Sequence, residues 1–207
     1  MKVLFASSEA YPFAMSGGLA DVAGALPKAL RKRLIGCRIV MPLYGSIPDE
    51  LREKMNFIGS ITVSVAWRRQ YCGIFEAHLD GVIYYFIDNQ YYFKRKGLYG
   101  YYDDAERFAF LSRAALDIIP HIGFKPDIIH CNDWQTALIP VYLNSMYRGD
   151  ETYRDIKTVF TIHNIQYQGK YGKELNGDVI GLPPECESLV EYDGCVNLMK
   201  GAIQCAD

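Results

Sequence analysis

Polar side chains follow three short apolar runs of the sequence, and their types suit hydrogen bonding and proton transfer. The clusters are Ser7-Ser8-Glu9, then His130, Asn132 and Asp133, and finally His163, Asn164 and Gln166. The apolar runs predict buried strands, and ligands of open parallel sheets bind beyond the carboxyl ends of the strands. Single members could instead cap the helices that follow, as Asn132 or Asp133 would. Three such clusters together favour a binding site.

Two adjacent glycines, Gly17 and Gly18, precede a helical pattern that starts at Leu19. A helix N-terminus after glycines offers free backbone N–H groups to an anion such as a phosphate. The sequence has no Walker motif and no G-x-G-x-x-G followed by an acidic residue about 20 positions later, which argues against a nicotinamide site. The glycines therefore serve either an anionic ligand or a tight turn.

His163 has three open roles: a general base, a hydrogen-bond partner of a sugar, or a half-buried histidine whose nitrogens are satisfied. The segment 91–102 carries six aromatic rings together with Lys94, Arg95 and Lys96. Rings beside hydrogen-bonding groups suit stacking on the C–H faces of sugars. They would equally suit covering the sheet beneath them.

An α/β scaffold is predicted to position these residues. The first forty-odd residues indicate strand, glycine turn, helix and strand, which is a βαβ unit. Asp80-Gly81 between two strand-like runs predicts a two-residue hairpin, so antiparallel strands should extend the parallel sheet. Strands are predicted at 2–7, 38–43, 61–67, 71–79, 82–87, 127–130 and 158–162, and helices from 19 (kinked or divided at Pro27), at 103–119 and 136–147, and more weakly at 187–192 and 196–206. The fold class is Rossmann-like α/β, with a mainly parallel sheet and helices on both faces.

Composition narrows the class of protein. The 207 residues carry 22 Lys and Arg against 24 Asp and Glu, and 50% are hydrophobic. This combination excludes a disordered chain, and the missing basic excess excludes a non-specific nucleic-acid binder. No apolar run approaches the roughly 20 residues of a membrane span, and the N-terminus does not have a signal-peptide pattern. We expect a cytoplasmic domain with no nucleic-acid or membrane partner.

The cysteines give no sign of a disulfide framework or a metal centre. The six are scattered, without a C-x-x-C pair, in a chain that is neither short nor Cys-dense. His130 and Cys131 are neighbours, but adjacent strand residues point to opposite faces and would share a metal poorly. Neither a metal nor a cofactor is expected.

Four segments together resemble the bacterial glycogen synthases and plant starch synthases, which transfer glucose from ADP-glucose. They are SEAYPF at 8–13 with SGGLADV at 16–22, DAERFAF at 104–110, HCNDW at 130–134 and FTIHNIQYQG at 160–169. The likeness runs in order from the first residue to the last. It implies the N-terminal half of a GT-B fold, in which two Rossmann-like domains face each other across a cleft.

The resemblance implies roles for individual residues. Residues 1–207 would form the N-terminal, acceptor-side catalytic domain, with the C-terminal nucleotide-binding domain absent and the chain truncated. The reaction would be retaining α-1,4 transfer of glucose to the non-reducing end of glycogen or a maltooligosaccharide, and the isolated domain should be inactive. His163 and Asp133 would hydrogen-bond the transferred glucose, and Gly17 and Gly18 would approach the donor diphosphate. Further binding residues would be Asn164, Tyr99 and Asp21.

Met15 departs from the family pattern, because the resemblance places a donor-contacting lysine at this position. Losing one charge-assisted contact costs about 1.5–3 kcal/mol, which is roughly one to two decades in donor affinity or rate. The altered position leaves an alternative open, a glucan-binding module of the same fold that no longer catalyses.

Overall fold

The computed structural model describes every residue from Met1 to Asp207, and the apolar runs of the sequence form strands in it. In chain order the strands are β1 (Lys2–Ala6), β2 (Gly36–Pro42), β3 (Asn56–Val65), β4 (Arg68–Leu79), β5 (Val82–Asp88), β6 (Ile128–Asn132), β7 (Lys157–Thr161), β8 (Lys170–Tyr171), β9 (Glu191–Tyr192) and β10 (Cys195–Asn197). The first seven form one sheet in the order β3-β4-β5-β2-β1-β6-β7, and the last three form a small sheet in the order β8-β10-β9.

Six α-helices connect or flank these strands. They are α1 (Gly18–Lys32), α2 (Asp49–Arg52), α3 (Gln90–Phe93), α4 (Asp104–Asp117), α5 (Leu138–Tyr142) and α6 (Leu198–Cys205). Short 3-10 turns lie at 119–121, 134–136 and 184–189, and π-helical turns lie at 143–147 and 176–180. Pro27 is accommodated within α1, which is not divided.

The pairing of the strands confirms the predicted fold class. β1 runs parallel to both β2 and β6, β2 is parallel to β5, and β6 is parallel to β7. β4 is antiparallel to β3 and β5, so a hairpin extends one edge of the sheet. Asp80 and Gly81 join β4 to β5 with φ values of +50° and +77°, as a type I′ hairpin turn requires.

Both faces of the central sheet are covered. Successive residues of β5, from Tyr84 to Ile87, are all fully buried, although neighbouring side chains of a strand point to opposite faces. On one face the Phe13 ring lies 4.8 Å from the rings of Tyr84 and Phe86. On the other face the Tyr85 hydroxyl donates to the carbonyl of Ile122, beyond the end of α4. A single continuous core of 58 buried residues results.

Two predicted helices differ from the structure. The predicted helix 136–147 is divided into a 3-10 turn, α5 and a π-helical turn, and Pro140 lies within α5 and at neither boundary. The segments 187–192 and 196–206 are partly strand, since β9 and β10 take residues from both. Helix α6 begins only after Asn197, whose side chain accepts the N–H of Lys200 and caps the helix.

All six cysteines are free, and Cys37, Cys72, Cys131 and Cys205 are buried. Burial raises the pKa of the Cys37 and Cys72 thiols to about 12, so these thiols stay protonated and unreactive at neutral pH. The structure contains no group of three His, Cys, Asp or Glu side chains that could hold a metal ion. None of its helices has the length and apolarity that a membrane crossing requires.

Candidate active site

The loops that follow β1, β6 and β7 enclose a cavity of about 940 Å³ at one edge of the sheet. The three strands are parallel neighbours, so their carboxyl ends meet at this edge. The lining comprises Glu9, Ser16, Gly17, Gly18, Leu19, Val22, Tyr99, Gly100, Asp104, Asp133, Trp134, Gln135, His163, Asn164 and Tyr167. Each of the three polar clusters in the sequence contributes at least one residue.

Most of the predicted site residues come together in this cavity. Its lining includes Gly17, Gly18, Tyr99, Asp133, His163 and Asn164. Two others lie outside the lining. Met15 is 56% exposed just before the glycine loop, and Asp21 is exposed in the first turn of α1. At that position the carboxylate of Asp21 stabilises the positive end of the helix dipole.

The carboxylate of Asp133 joins the ends of two neighbouring strands. Its Oδ1 accepts the backbone N–H of His163 at 2.7 Å and that of Asn164 at 3.2 Å. The side chain therefore does not cap the following turn, as one interpretation of the sequence proposed. The second carboxylate oxygen has no protein donor and borders the cavity, which leaves it available to a ligand hydroxyl.

The backbone of Asp133 is strained. Its φ of +55° and ψ of −179° belong to a region that is almost exclusive to glycine and costs on the order of 1–3 kcal/mol for other residues. The backbone N–H of Asp133 is tied to the carbonyl of Thr161 at 3.0 Å. The surrounding contacts thus hold an unfavourable conformation that directs the carboxylate across to β7.

The imidazole of His163 is oriented by Asn132. The side-chain amide of Asn132 donates to the carbonyls of Ala6 and His130 at 3.0 and 3.1 Å. Its oxygen therefore faces His163 Nε2, at 2.9 Å, and accepts a hydrogen bond from the N–H there. This arrangement fixes the tautomer with hydrogen on Nε2 and leaves Nδ1 as the acceptor nitrogen of the ring.

Glu9 holds the glycine loop against the aromatic segment 91–102. Its carboxylate is only 4% exposed and accepts the backbone N–H and the hydroxyl of Ser16. The hydroxyl of Tyr99 lies 3.2 Å from Glu9 Oε1 and 2.7 Å from Ser8 Oγ. A buried carboxylate with three donors is well compensated, so it fixes the start of α1 relative to Tyr99.

Gly17 and Gly18 leave open space at the N-terminus of α1. Neither has a positive φ, so no turn conformation requires glycine there. A Cβ atom added at either position would meet no protein atom within 4 Å. Helix α1 also has no side-chain cap, so the N–H groups of Gly18 and Leu19 remain available to a ligand, whereas that of Ala20 donates to the carbonyl of Gly17. The φ values therefore give no support to the tight-turn interpretation, and the arrangement favours close approach of a ligand.

His130 belongs to the second polar cluster but does not line the cavity. Its Nε2 lies 2.7 Å from Thr161 Oγ1, and its ring packs edge-on against Phe5. Burial, together with the nearby His163, lowers the pKa of His130 to about 4. It is a neutral, partly buried histidine that packs between β1 and β7 through its contacts with Phe5 and Thr161.

Several lining residues were not among the predicted site residues. Asp104 accepts the backbone N–H of Gly100 at 2.7 Å and the guanidinium of the fully buried Arg107 at 2.5 Å. Trp134 packs edge-on against Phe108 of α4. Of these residues, Asp104 lies in the DAERFAF segment and Trp134 in the HCNDW segment, so the motifs contained the signal. Tyr167 lies one residue after Gln166, which does not line the cavity.

The cavity lining is acidic. Glu9, Asp104 and Asp133 contribute carboxylates, and no Lys or Arg side chain is among the lining residues, although the buried Arg107 pairs with Asp104. Such a surface suits the hydroxyl groups of a sugar, which donate to carboxylates, and it lacks the cations that a diphosphate requires.

Comparison with known proteins gives a consistent result over the whole chain. Residues 2–207 match the starch synthase catalytic domain family. Glycogen synthase from Geobacillus stearothermophilus is 53% identical over 209 residues, covering 100% of this chain and 43% of the relative. Glycogen synthase from Clostridium botulinum (strain Alaska E43) is 53% identical over 210 residues, covering 100% of this chain and 44% of the relative.

A solved structure shares the fold. The catalytic domain of Starch Synthase IV from Arabidopsis thaliana, bound to ADP and acarbose, superimposes with a TM-score of 0.89 at 30% identity, over 99% of this chain and 43% of that one. The chain therefore spans less than half the length of the relatives it matches. With the family matched from residue 2 to the last residue, the chain belongs to the starch synthase catalytic domain family, as one Rossmann-like half of a GT-B fold.

Proposed function

We propose that these 207 residues form the N-terminal, acceptor-side half of a glycogen or starch synthase. The complete enzyme transfers glucose from ADP-glucose to the non-reducing end of an α-1,4-glucan, with retention at the anomeric carbon. The observation that carries the proposal is the linkage of Asp133 to the backbone of His163 and Asn164 at the rim of an acidic cavity. Similarity to glycogen synthases at 53% identity supports the same activity.

Each proposed role follows from local geometry. Asp133 offers one free carboxylate oxygen, which would accept a hydroxyl of the transferred glucose and stabilise positive charge that develops at the anomeric carbon. His163 offers Nδ1 as an acceptor, because Asn132 holds its Nε2 proton. Asn164 and Tyr99 add hydrogen-bonding groups at the rim of the same cavity. Gly17 and Gly18 would admit the diphosphate to the N-terminus of α1.

The charge of the cavity supports the proposal that a second half is needed. Departure of ADP places negative charge on the leaving group, and the lining provides carboxylates but no Lys or Arg side chain. The helix N-terminus supplies only a partial positive charge. We therefore expect the stabilising cations to come from another domain, and the 207 residues alone to give no turnover.

Position 15 lies next to the glycine loop but carries no charge. Met15 is more than half exposed, so a longer cationic side chain there would meet no steric obstacle from the core. We propose that its thioether leaves the donor site one cation short, and that this weakens ADP-glucose binding rather than the fold.

A chimeric enzyme tests the proposed function. Residues 1–207 would replace the corresponding part of the Geobacillus stearothermophilus glycogen synthase, which is 53% identical over this region. Incorporation of glucose from ADP-[14C]glucose into glycogen is expected for the chimera and not for the isolated chain. Turnover by the isolated chain would contradict the need for a second half. A well-folded chimera without glucosyl transfer would contradict the assignment itself.

The second candidate function is a glucan-binding module that has lost catalysis, and Met15 is the observation that favours it. Isothermal titration distinguishes the two functions. A binding module should bind maltooligosaccharides and ignore ADP-glucose in every context, whereas the synthase half should contribute to ADP-glucose binding in the chimera.

A further inference from the structure

The loop between α3 and α4, residues 94–103, contains an arginine that joins its two ends. The guanidinium of Arg95 donates to the carbonyl of Tyr91 in α3 at 3.0 Å. It also donates to both carboxylate oxygens of Asp103, the residue directly before α4, at 2.6 Å each. Two parallel bonds from one guanidinium to one carboxylate are strong and geometrically specific. We call this set of contacts the outer clamp.

A second arginine makes the same kind of connection, and its acceptors follow those of the outer clamp by one residue each. Arg107 of α4 donates to the carbonyl of Tyr92 at 2.8 Å and to the carboxylate of Asp104 at 2.5 Å. A third bond, at 3.0 Å, reaches the carbonyl of Leu98 in the middle of the loop. We call this set of contacts the inner clamp.

The burial of Arg107 favours a role in positioning. Its side chain is fully buried, and its Nη2 has no hydrogen-bond partner. A buried ion pair is weak evidence for stability, because apolar side chains of similar volume are often as good or better in its place. Every hydrogen bond of the Arg107 side chain goes to the loop or to the residues at its ends. The contacts of Arg107 therefore fix this one segment.

Tyr101 connects the two clamps. Its ring centre lies 4.8 Å from the guanidinium of Arg95 and 4.9 Å from that of Arg107, and both distances are within the range of cation–π attraction. The hydroxyl of Tyr101 accepts the backbone N–H of Gly97 at 2.8 Å. The loop is thus held at both ends and at two points between them.

The clamped loop carries part of the cavity lining, namely Tyr99 and Gly100. The N–H of Gly100 donates to the second carboxylate oxygen of Asp104 at 2.7 Å, so the inner clamp holds Gly100 directly. The hydroxyl of Tyr99 lies 3.2 Å from the carboxylate of Glu9, which in turn holds Ser16 before the two glycines. The position of the loop therefore affects the N-terminus of α1, where the donor diphosphate is proposed to bind.

The groups proposed for the chemical step are held without the loop. The carboxylate of Asp133 accepts backbone N–H groups at the end of β7, and the imidazole of His163 is oriented by Asn132. No hydrogen bond joins residues 94–103 to Asp133 or His163. A displaced loop should therefore change the affinity for a ligand in the cavity and leave the reacting geometry in place.

We propose that Arg95 and Arg107 are positioning residues, which set the affinity of the cavity for ADP-glucose through Tyr99 and Gly100. Neither arginine lines the cavity, so both act through the loop and not by contact with the ligand. This inference rests on the proposed function, because ADP-glucose is the donor of that reaction.

Hydrogen exchange of the 207-residue chain, followed by mass spectrometry, tests the inner clamp. In Arg107→Lys a single ammonium group replaces the planar fork of donors and does not reach all three acceptors. Amide exchange in residues 94–104 should become about tenfold faster, whereas exchange in β6 and β7 should not change. Arg113→Lys is the matched control, because Arg113 lies in the same helix and contacts Met146 and two tyrosine rings instead of the loop.

Steady-state kinetics of the chimera separates affinity from the chemical step. Arg95→Gln removes the outer clamp at a half-buried position of the loop, outside the core, so this variant should fold normally. Both Arg95→Gln and Arg107→Lys should raise KM for ADP-glucose about tenfold, as for one displaced hydrogen bond. Both should change kcat by less than about threefold. Arg113→Lys should match the parent in KM and kcat.

The outcomes distinguish this inference from the proposed function. An unchanged KM for ADP-glucose in both clamp variants, a loss in kcat as large as the change in KM, or faster exchange throughout the chain in both variants would overturn the positioning role. Transfer by the parent chimera would still support the proposed function. A parent chimera without glucosyl transfer would overturn the proposed function. Calorimetric titration with ADP-glucose would then decide on the clamps, since weaker binding in both variants would support them and equal or absent binding would overturn them.

Discussion

The carboxylate of Asp133, at the end of β6, accepts the backbone N–H of His163, at the end of β7, at a distance of 2.7 Å. The acceptor is a side chain and the donor is a backbone group, so the bond fixes the position of the loop while the imidazole is oriented separately by Asn132. A substitution of Asp133 that keeps the oxygen acceptor but removes the negative charge can therefore separate its role in holding the loop from its role as a charge.

Asp133→Asn should preserve the loop and remove the charge. The asparagine oxygen can still accept from His163 and Asn164, whereas the negative charge next to the reacting sugar is lost. In the chimera we expect kcat to fall about 10²-fold, comparable to removal of one preorganised electrostatic group. Thermal unfolding should change little. Asp155→Asn, at an exposed aspartate, is the control, and a kcat for Asp133→Asn within twofold of the parent would contradict the role of the charge.

Gly18→Ala should affect the ligand and not the fold. The new methyl group would meet no protein atom within 4 Å and lies at a helix start, so the free energy of unfolding should change by less than about 1 kcal/mol. Binding of ADP-glucose to the chimera should weaken because the methyl occupies ligand space.

Gly181→Ala is the opposite case and serves as the control. Gly181 has a φ of +68°, and its added Cβ would lie 2.8 Å from Ala66 Cα. We expect a loss of about 1–3 kcal/mol in urea unfolding. A loss of unfolding free energy in Gly18→Ala as large as the loss in Gly181→Ala would mean that the space around Gly18 is not open.

Met15→Lys should strengthen donor binding. A cation next to the glycine loop would add one charge-assisted contact to the diphosphate, worth about 1.5–3 kcal/mol, so KM for ADP-glucose should fall about ten- to a hundredfold. Met15→Gln keeps the length without the charge and should leave KM unchanged. An unchanged KM in Met15→Lys would mean that position 15 does not reach the donor.

Stability should decrease on mild acidification because of His130. Its pKa is lowered from 6.5 to about 4 in the folded chain, so between these values the unfolded chain binds a proton that the folded chain does not. The unfolding free energy therefore falls as pH drops from 6.5 to 4, by at most about 3 kcal/mol from this group, and not further below.

Urea unfolding at pH 7 and pH 4.5 measures this effect. His130→Gln should lose stability at pH 7, where it disturbs packing on Phe5, but its stability should depend less on pH. His78→Gln is the control, because His78 is exposed and bonded only to Glu76. If His130→Gln and the wild type show the same difference between the two pH values, His130 is not the titrating group.

Local patterns were sufficient to predict most of the scaffold. The Asp80-Gly81 turn and the apolar runs placed the seven main strands, and polar residues after β1, β6 and β7 indicated the edge that carries the cavity. The small sheet was not predicted, since strands of two or three residues have no detectable period.

Contacts between distant residues could not be read from the sequence. Glu9 meets Tyr99 across 90 positions of the chain, and this pairing depends on how the loops meet above the sheet. The segment 91–102 illustrates the same limit, because its rings divide between the core, the cavity lining and the surface. Tyr92 and Phe93 are buried in the core, Tyr99 lines the cavity, and Tyr91 and Tyr102 are exposed.

All charged residues of the cavity lining are acidic, and this has a consequence for the choice of inhibitors. Of the three carboxylates only Asp104 has a cationic partner, the buried Arg107, so the lining attracts a protonated amine and repels a phosphate. An iminosugar that is cationic at neutral pH should therefore bind this half on its own, whereas free ADP should not. The affinity of the iminosugar should fall with rising salt concentration. Such compounds would then report on sugar recognition by this half in the absence of any nucleotide.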